Sequence, residues 1–229
     1  MANGGILLCG GYGTRLLPTT KYINKHLIPI YDKPMVYYSL SILLLSGIKE
    51  ITIICNLEEK EVFFELLGTG DEFGVVFNYV TQDEPMGIPQ AIDLALEKNE
   101  YEKSLTVLGD NFIFGEKFFT NLENIINTTE KVAIFSQHVK NPEEFGIVEV
   151  DENNNVINLI EKPKEYISSR AVIGLYVFNN EFKNHFSNTE KSNRGEYEIL
   201  DVVKNYGKKS IIHKKIGRGT AWFDMGTTN

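Results

Sequence analysis

The sequence predicts an α/β fold in which a mostly parallel sheet is flanked by helices and continued by a more antiparallel part. Apolar runs typical of buried strands alternate with amphipathic segments up to about residue 140. Beyond that point, short apolar runs follow one another across polar turns, which indicates antiparallel pairing. The chain has 229 residues, 42% of them hydrophobic, so it can bury the core of a single domain.

The alternating part predicts five strands and four helices. The first helix has a clear signal, because Val36, Leu40 and Leu43 fall on one face and Gly47 can end it. Strands are expected at residues 6–9, 50–55, 75–80, 105–108 and 132–137, and helices at 34–46, 58–67, 89–98 and 118–126. This order favours right-handed crossovers between parallel strands.

The second part begins with a hairpin signal, since the polar loop at residues 151–155 separates two apolar runs. Strands are expected at residues 147–150, 156–160, 172–178 and 210–216, and a helix at 196–206. The sequence contains no proline-rich linker and no internal repeat. We therefore expect one domain over residues 1–229, with a core at 1–140 and a second part at 141–229.

The charge of the chain is unevenly distributed. Residues 1–49 contain five cations and one carboxylate, a balance of +4, in a chain whose net charge is −8. The same stretch holds a glycine-rich turn, Gly10-Gly11-Tyr12-Gly13, directly after the first predicted strand. Glycines let backbone N–H groups approach phosphate oxygens, and nearby cations offset their charge. The stretch therefore indicates a polyphosphate site.

The overall composition argues against some classes of binding partner. A net charge of −8 argues against general binding to nucleic acid or to an anionic membrane. No targeting segment is visible, and the longest apolar stretch, residues 35–45, is too short for a bilayer span of about 20 residues. Cys9 and Cys55 lie in strand-like runs and are expected to be buried thiols. We expect a cytoplasmic protein.

The glycine turn alone does not identify its ligand, and a tight turn without any ligand explains it equally well. Dinucleotide-binding folds place a third glycine where this chain has Leu16. No Gly-Lys-Ser/Thr follows either, which excludes the common phosphate loop of ATPases. Thr14-Arg15 and Lys25 shift the balance towards a phosphate ligand.

Asp110 follows the predicted strand at 105–108, where ligands bind in open α/β sheets. It could be an ordinary turn residue, or it could hold Mg²⁺ together with a second carboxylate such as Asp224. Lys162 and Arg194 follow a strand and precede a helix, respectively. Taken singly, both are ordinary surface charges.

Seven motifs, taken together and in order, resemble the sugar-phosphate nucleotidylyltransferases, nearest to the short-form members that use dTTP and glucose 1-phosphate. The motifs are GGYGTRL at 10–16, NKHLIPIYDKPM at 24–35, LGDN at 108–111, EEFGIVEVD at 143–151, EKPK at 161–164, RGEYEI at 194–199 and GTAWFDMGT at 219–227. The resemblance implies a Rossmann-like core and a transfer that joins a nucleoside triphosphate to a sugar 1-phosphate and releases pyrophosphate. Residues 1–140 would then bind the nucleotide and 141–229 the sugar phosphate.

The resemblance also implies a role for each group of residues. Arg15 and Lys25 would be catalytic, and Asp110 and Asp224 would hold Mg²⁺. The nucleotide would contact Leu8, Gly10, Gly11, Gly13, Thr14, Gln82 and Gly87. The sugar phosphate would contact Gly146, Glu161, Lys162, Val172 and Arg194.

Some features leave alternatives open. Phe145 stands where many members carry tyrosine, and short-form members continue past position 229 with at least one further helix. UTP or CTP with another sugar 1-phosphate would suit the same reaction, and a non-catalytic nucleotide-binding relative is a second alternative. The resemblance further implies a homo-oligomer.

Overall fold

A computed structural model describes residues 3–115 and 117–226. The strands are β1 (Gly4–Leu8), β2 (Pro29–Ile30), β3 (Lys33–Pro34), β4 (Glu50–Asn56), β5 (Val76–Gln82), β6 (Lys103–Leu108), β7 (Asn111–Gly115), β8 (Val132–His138), β9 (Gly146–Val150), β10 (Val156–Glu161), β11 (Arg170–Asn179), β12 (Ile211–Lys215) and β13 (Thr220–Asp224). The helices are α1 (Met35–Leu45), α2 (Lys60–Leu67), α3 (Ile88–Lys98), α4 (Phe118–Thr128), α5 (Phe182–Phe186) and α6 (Ile199–Asn205).

One mixed sheet of nine strands organises the fold. Its parallel core runs β5-β4-β1-β6, and β11 then pairs antiparallel with β6. On its other edge, β11 pairs with β8, which in turn pairs in parallel with β12. The strands β9 and β10 form the predicted hairpin, and β9 pairs with β11. The predicted fold class is confirmed. The division at residue 140 stays a prediction, since strands from both sides of it share this sheet.

Helices cover both faces of the sheet because its central strands are apolar on both sides. All five residues of β1 are buried, and its side chains alternate between two apolar clusters, with Leu7 in one and Ile6 and Leu8 in the other. One cluster is completed by α1, α2 and α4, and the other by α3, α5 and α6. Parallel strands that are covered on both faces are expected to be continuously apolar. This packing fixes the carboxyl ends of β1, β4, β5 and β6 at one edge.

The structure corrects several predicted elements. Residues 111–115 and 220–224 were not predicted as strands, yet they form the antiparallel pair β7–β13. The short elements β2, β3 and α5 were also missed. The predicted helix at 58–67 begins with a 3₁₀ turn at Leu57–Glu59, and the one at 196–206 is reduced to α6, because an irregular segment precedes Ile199.

Two other expectations can be compared with the described residues. Cys9 and Cys55 are free and buried, as predicted. Within residues 3–115 and 117–226, no helix is both long and apolar enough to cross a membrane.

Candidate active site

Two adjoining cavities open where the carboxyl ends of β1, β5 and β6 meet. The first, here called the glycine cavity, has a volume of about 470 Å³ and runs along the glycine turn, residues 10–13. The second, here called the acidic cavity, has a volume of about 270 Å³ and lies between β6, β9, β11 and β13. Arg15 and Asp110 line both cavities, so the two meet at these side chains.

The glycine turn lines the cavity, and both its backbone conformation and its close contacts favour glycine. Gly11 and Gly13 have φ values of 92° and 60°, which lie in the left-handed region. A Cβ on Gly10 would lie 2.5 Å from Oε1 of Gln82. The N–H of Gly11 donates to Oδ1 of Asn56 at the end of β4. The backbone of the turn therefore lies close to side chains from two neighbouring strands.

Lys25 and Asp110 form the central ion pair of the site. Lys25 lies in a 3₁₀ turn, Lys25–Leu27, and its Nζ is 2.5 Å from Oδ2 of Asp110. Burial alone would raise the pKa of Asp110, but the positive charges of Lys25 and Arg15 outweigh burial and lower the pKa to about 2. Asp110 is therefore ionised at neutral pH.

Asp224 lies beside Asp110 because β13 pairs with β7, with Asp224 opposite Asn111. A Cβ on Gly226 would lie 2.6 Å from Oδ2 of Asp110 and 3.0 Å from Oδ1 of Asp224. Burial and the neighbouring negative charge of Asp110 raise the pKa of Asp224. The charge of Asp110 thus disfavours ionisation of Asp224, and a neighbouring pair of carboxyl groups of this kind is a donor set that fits a divalent cation.

The metal fit is limited to these two side chains. Within the described ranges, no group of three or more His, Cys, Asp or Glu residues is arranged to hold a metal ion. Mg²⁺ commonly takes one or two protein carboxylates and completes its shell with phosphate oxygens and water. Asp110 and Asp224 match that pattern.

Arg194 lines the acidic cavity and pairs with two carboxylates that also line it. Its guanidinium donates to both carboxylate oxygens of Glu198, at 2.7 and 3.2 Å, and lies 3.7 Å from Glu161. Burial and the charge of Glu198 raise the pKa of Glu161, whereas Arg194 acts in the opposite direction. Lys162 has a φ of 44°, and its N–H donates to the carbonyl oxygen of Phe145. A lysine held in this conformation marks a position that the surrounding structure defines closely.

The structure brings together nearly all the residues predicted for the site. The glycine cavity is lined by Leu8, Gly10, Gly11, Thr14, Arg15, Lys25, Gln82, Gly87 and Asp110. The acidic cavity is lined by Arg15, Asp110, Gly146, Glu161, Lys162, Val172, Arg194 and Asp224. Gly13 lines neither cavity; it begins the 3₁₀ turn at Thr14–Leu16 and accepts a hydrogen bond from Thr20.

Other residues of the site were not predicted from the sequence. Glu196 lines both cavities, His26 lines the glycine cavity, and Asn111 and Trp222 line the acidic one. Oδ1 of Asn111 accepts from Nε1 of Trp222, and Nδ2 of Asn111 donates to Asp110. The only sequence signal for Asn111 and Trp222 was their position next to the two predicted metal ligands.

The sequence of the chain matches the family described as nucleotidyl transferase over residues 4–229. The chain belongs to the nucleotidyl transferase family. It is 41% identical to the glucose-1-phosphate thymidylyltransferase of Neisseria meningitidis over 97% of its own length and 78% of that relative. It is 40% identical to the enzyme of the same name from Mycolicibacterium smegmatis, over 97% and 77% of the two chains.

Two solved structures share the fold of this chain. A Bacillus anthracis protein assigned as a glucose-1-phosphate thymidylyltransferase, crystallised in complex with a sucrose, has a TM-score of 0.90 at 35% identity and covers 99% of this chain and 91% of its own. A UDP-glucose pyrophosphorylase complexed with UDP-glucose has a TM-score of 0.85 at 21% identity, over 99% and 94% of the two chains. The second likeness concerns the fold alone.

Proposed function

We propose that this nucleotidyl transferase joins dTTP and glucose 1-phosphate to give dTDP-glucose and pyrophosphate. One observation carries the proposal: the two cavities meet at Arg15 and Asp110, with Lys25 paired to Asp110. A transfer between two bound phosphates needs two neighbouring pockets that share one reaction centre. Relatives at about 40% identity that bear the name glucose-1-phosphate thymidylyltransferase support the choice of substrates.

The chemistry needs no covalent intermediate. An oxygen of the sugar phosphate attacks the α-phosphorus of dTTP, the bond from that phosphorus to the bridging oxygen breaks, and pyrophosphate leaves. In such a displacement the protein supplies positioning and charge neutralisation. In this proposal, Lys25 neutralises the α-phosphate and Arg15, where the cavities meet, holds the departing pyrophosphate; both line the glycine cavity.

Lys162 and Arg194 hold the sugar phosphate from the opposite side in this proposal. Both line the acidic cavity, together with Gly146, Glu161 and Val172, which would contact the sugar. Gln82 and Gly87 line the glycine cavity, where their polar groups could bind the edge of the base. Gly10, Gly11, Gly13 and Thr14 would surround the phosphates of the nucleotide, next to Leu8.

Asp110 and Asp224 would hold Mg²⁺, and the bound ion would offset negative charge on the phosphates. Because nucleoside triphosphates are intracellular metabolites, we place the reaction in the cytoplasm. A homo-oligomer stays a prediction.

The test is a pyrophosphate-release assay in the presence of Mg²⁺. Each of dTTP, UTP, CTP and ATP is paired with glucose 1-phosphate, and dTTP is then paired with amino- and deoxy-sugar 1-phosphates. We expect dTTP and glucose 1-phosphate to give the highest kcat/KM. A pocket contact with the thymine methyl group supplies about 1–3 kcal/mol, so UTP should react measurably but less well. Nucleotide binding without pyrophosphate release from any pair would favour a non-catalytic role instead.

A further inference from the structure

Lys25 lies on a short irregular segment that needs support from elsewhere in the fold. The 3₁₀ turn that carries it has three residues, so its helical hydrogen bonds contribute little. We call residues 24–27 the lysine turn and residues 56–59, at the end of β4, the β4 exit. Side-chain hydrogen bonds join the lysine turn to the end of β1 and to the β4 exit.

Asn24 makes these connections with all of its amide atoms. Its Nδ2 donates to the carbonyl oxygen of Cys9 at 3.0 Å and to Oε2 of Glu59 at 2.6 Å. Its Oδ1 accepts from the N–H of His26 at 2.8 Å, which caps the lysine turn. Because two acceptors face Nδ2 and a donor faces Oδ1, only this orientation of the amide satisfies every group. Asn24 is also buried.

His26 completes the network. Its Nδ1 lies 2.8 Å from Oδ1 of Asn24 and 3.1 Å from the carbonyl oxygen of Cys9, both of which are acceptors. Nδ1 must therefore carry the hydrogen. Burial and the charge of Lys25 lower the pKa of His26 to about 3, so the ring is neutral at physiological pH.

The β4 exit contacts both catalytic segments. Oδ1 of Asn56 accepts from the N–H of Gly11 in the glycine turn, and Glu59 accepts from Asn24 in the lysine turn. Glu59 is half-buried, and burial raises its pKa, while the hydrogen bond from Asn24 acts in the opposite direction. The β4 exit thus links the backbone of the nucleotide loop to the segment that carries Lys25.

We propose that Asn24 and Glu59 are positioning residues that set the reach of Lys25 into the site. The proposal rests on the proposed function of Lys25 as the group that neutralises the α-phosphate. Asn24 precedes Lys25 directly and is held by Glu59, so a change in their contact moves the backbone from which Nζ projects. Displacements near 1 Å cost about 100-fold in rate when they affect a reacting group.

The structure offers a donor–acceptor exchange as a test. In Asn24→Asp, a carboxylate oxygen replaces Nδ2 and faces two acceptors, Glu59 and the carbonyl of Cys9. We expect kcat to fall about 10- to 100-fold, with the KM for dTTP changed less than about threefold. In the double variant Asn24→Asp/Glu59→Gln, the amide introduced at position 59 can donate a hydrogen bond to the carboxylate introduced at position 24. We therefore expect kcat to be about tenfold higher than in Asn24→Asp alone. Glu58→Gln, an exposed neighbour, serves as the matched control.

A second readout does not depend on turnover. Lys25 has a side chain only 15% exposed and paired with Asp110, whereas the side chain of Lys33 is 42% exposed. Labelling by an N-hydroxysuccinimide ester, followed by peptide mass spectrometry, measures the reactivity of each amine. Labelling of Lys25 relative to Lys33 should rise about threefold or more in Asn24→Asp, because a loosened lysine turn exposes the amine, and return towards the wild-type ratio in the double variant. Glu59→Ala, at the half-exposed position, makes the same test if Asn24→Asp fails to fold.

The outcomes separate the two proposals. An inactive wild type whose Lys25 labelling follows the expected pattern would contradict the proposed function and leave the positioning role intact. Unchanged kcat and unchanged labelling in Asn24→Asp, or in Glu59→Ala where that replaces it, would overturn the positioning role. A loss of kcat that the double variant does not repair would overturn the part assigned to Glu59.

Discussion

Nζ of Lys25 lies 2.5 Å from Oδ2 of Asp110, and the two side chains are 15% and 7% exposed. The two opposite charges therefore lie in direct contact at a position with little exposure to solvent. In the proposed reaction, Lys25 has to contact the α-phosphate as well, so Asp110 and the phosphate compete for the same amine. A bound divalent cation would compensate Asp110 instead, and Lys25 could then turn to a phosphate.

We expect Lys25→Ala to fold and to lose most of its turnover. Loss of charge neutralisation at the reacting phosphate corresponds to roughly 3–4 kcal/mol of barrier, or about 100- to 1,000-fold in kcat. Steady-state pyrophosphate release measures the effect, and circular dichroism with thermal unfolding checks the fold. Lys33→Ala is the control, because Lys33 pairs with Asp32 on the surface. Near-normal turnover of Lys25→Ala would remove Lys25 from the mechanism.

Arg194→Ala should weaken binding of the sugar phosphate alone. Arg194 lines the acidic cavity and not the glycine cavity, and its loss leaves Glu161 and Glu198 without their cation. A charge-assisted contact is worth about 1.5–3 kcal/mol, so the KM for glucose 1-phosphate should rise about 10- to 100-fold. The KM for dTTP should stay within about threefold. Arg218→Ala, at an exposed position, is the matched control; equal effects on both KM values would contradict the division into two cavities.

Gly109→Ala should displace the carboxylate of Asp110. A Cβ at this position would lie 2.6 Å from Cδ2 of His26 and 2.7 Å from the carbonyl oxygen of Leu8, so the backbone before Asp110 must move. Overpacking of this kind typically costs about 1–3 kcal/mol of stability. We expect a lower Tm and a higher Mg²⁺ concentration at half-maximal turnover than in the wild type.

Gly219→Ala provides the comparison for Gly109→Ala, since a Cβ at that position meets nothing within 4 Å. It should change the Tm by less than about 2 °C. The explanation through crowding at Gly109 would be wrong if the two substitutions lowered the Tm equally.

The parallel core could be predicted from the sequence because its strands are buried on both faces and are therefore continuously apolar. Leu105–Leu108 and the other central strands carry that pattern without help from distant residues. The strands β7 and β13 show no such apolar pattern. Each has five residues and is stabilised by the other, which lies more than a hundred positions away in the sequence. The convergence of Asp224 with Asp110 could therefore be inferred only from the family resemblance.

The residues that support the site were even harder to predict from the sequence. Asn24, His26 and Glu59 look like ordinary turn and helix-start residues in the sequence, since polar residues are common there. Their roles depend on which acceptors the folded chain places around one amide group. Such an arrangement has no periodicity, so no pattern in the sequence predicts it.

His213 makes the stability of the fold sensitive to mildly acidic pH. Its Nε2 lies 2.6 Å from Oγ of Ser136, and its Nδ1 lies 2.8 Å from Oδ1 of Asn154, so the ring links β12, β8 and the hairpin loop. Burial and the positive charges of Arg170 and Lys215 lower the pKa of His213 to about 4. The unfolded chain, whose histidine titrates near pH 6.5, therefore binds more protons than the folded chain between pH 6.5 and 4.

The stabilising contribution of His213 is accordingly complete above about pH 6.5 and is lost as the pH falls towards 4. Between pH 7 and pH 5, the free energy of unfolding should fall by at most about 2 kcal/mol on account of this group. Urea unfolding of the wild type and His213→Gln at both pH values measures the difference. The variant should be less stable at pH 7 and should lose less stability on acidification. His26, whose pKa is also lowered, contributes to the pH dependence of the free energy of unfolding in both proteins. If the free energy of unfolding fell equally in the two proteins between pH 7 and pH 5, His213 would have to be protonated in the folded state at pH 5.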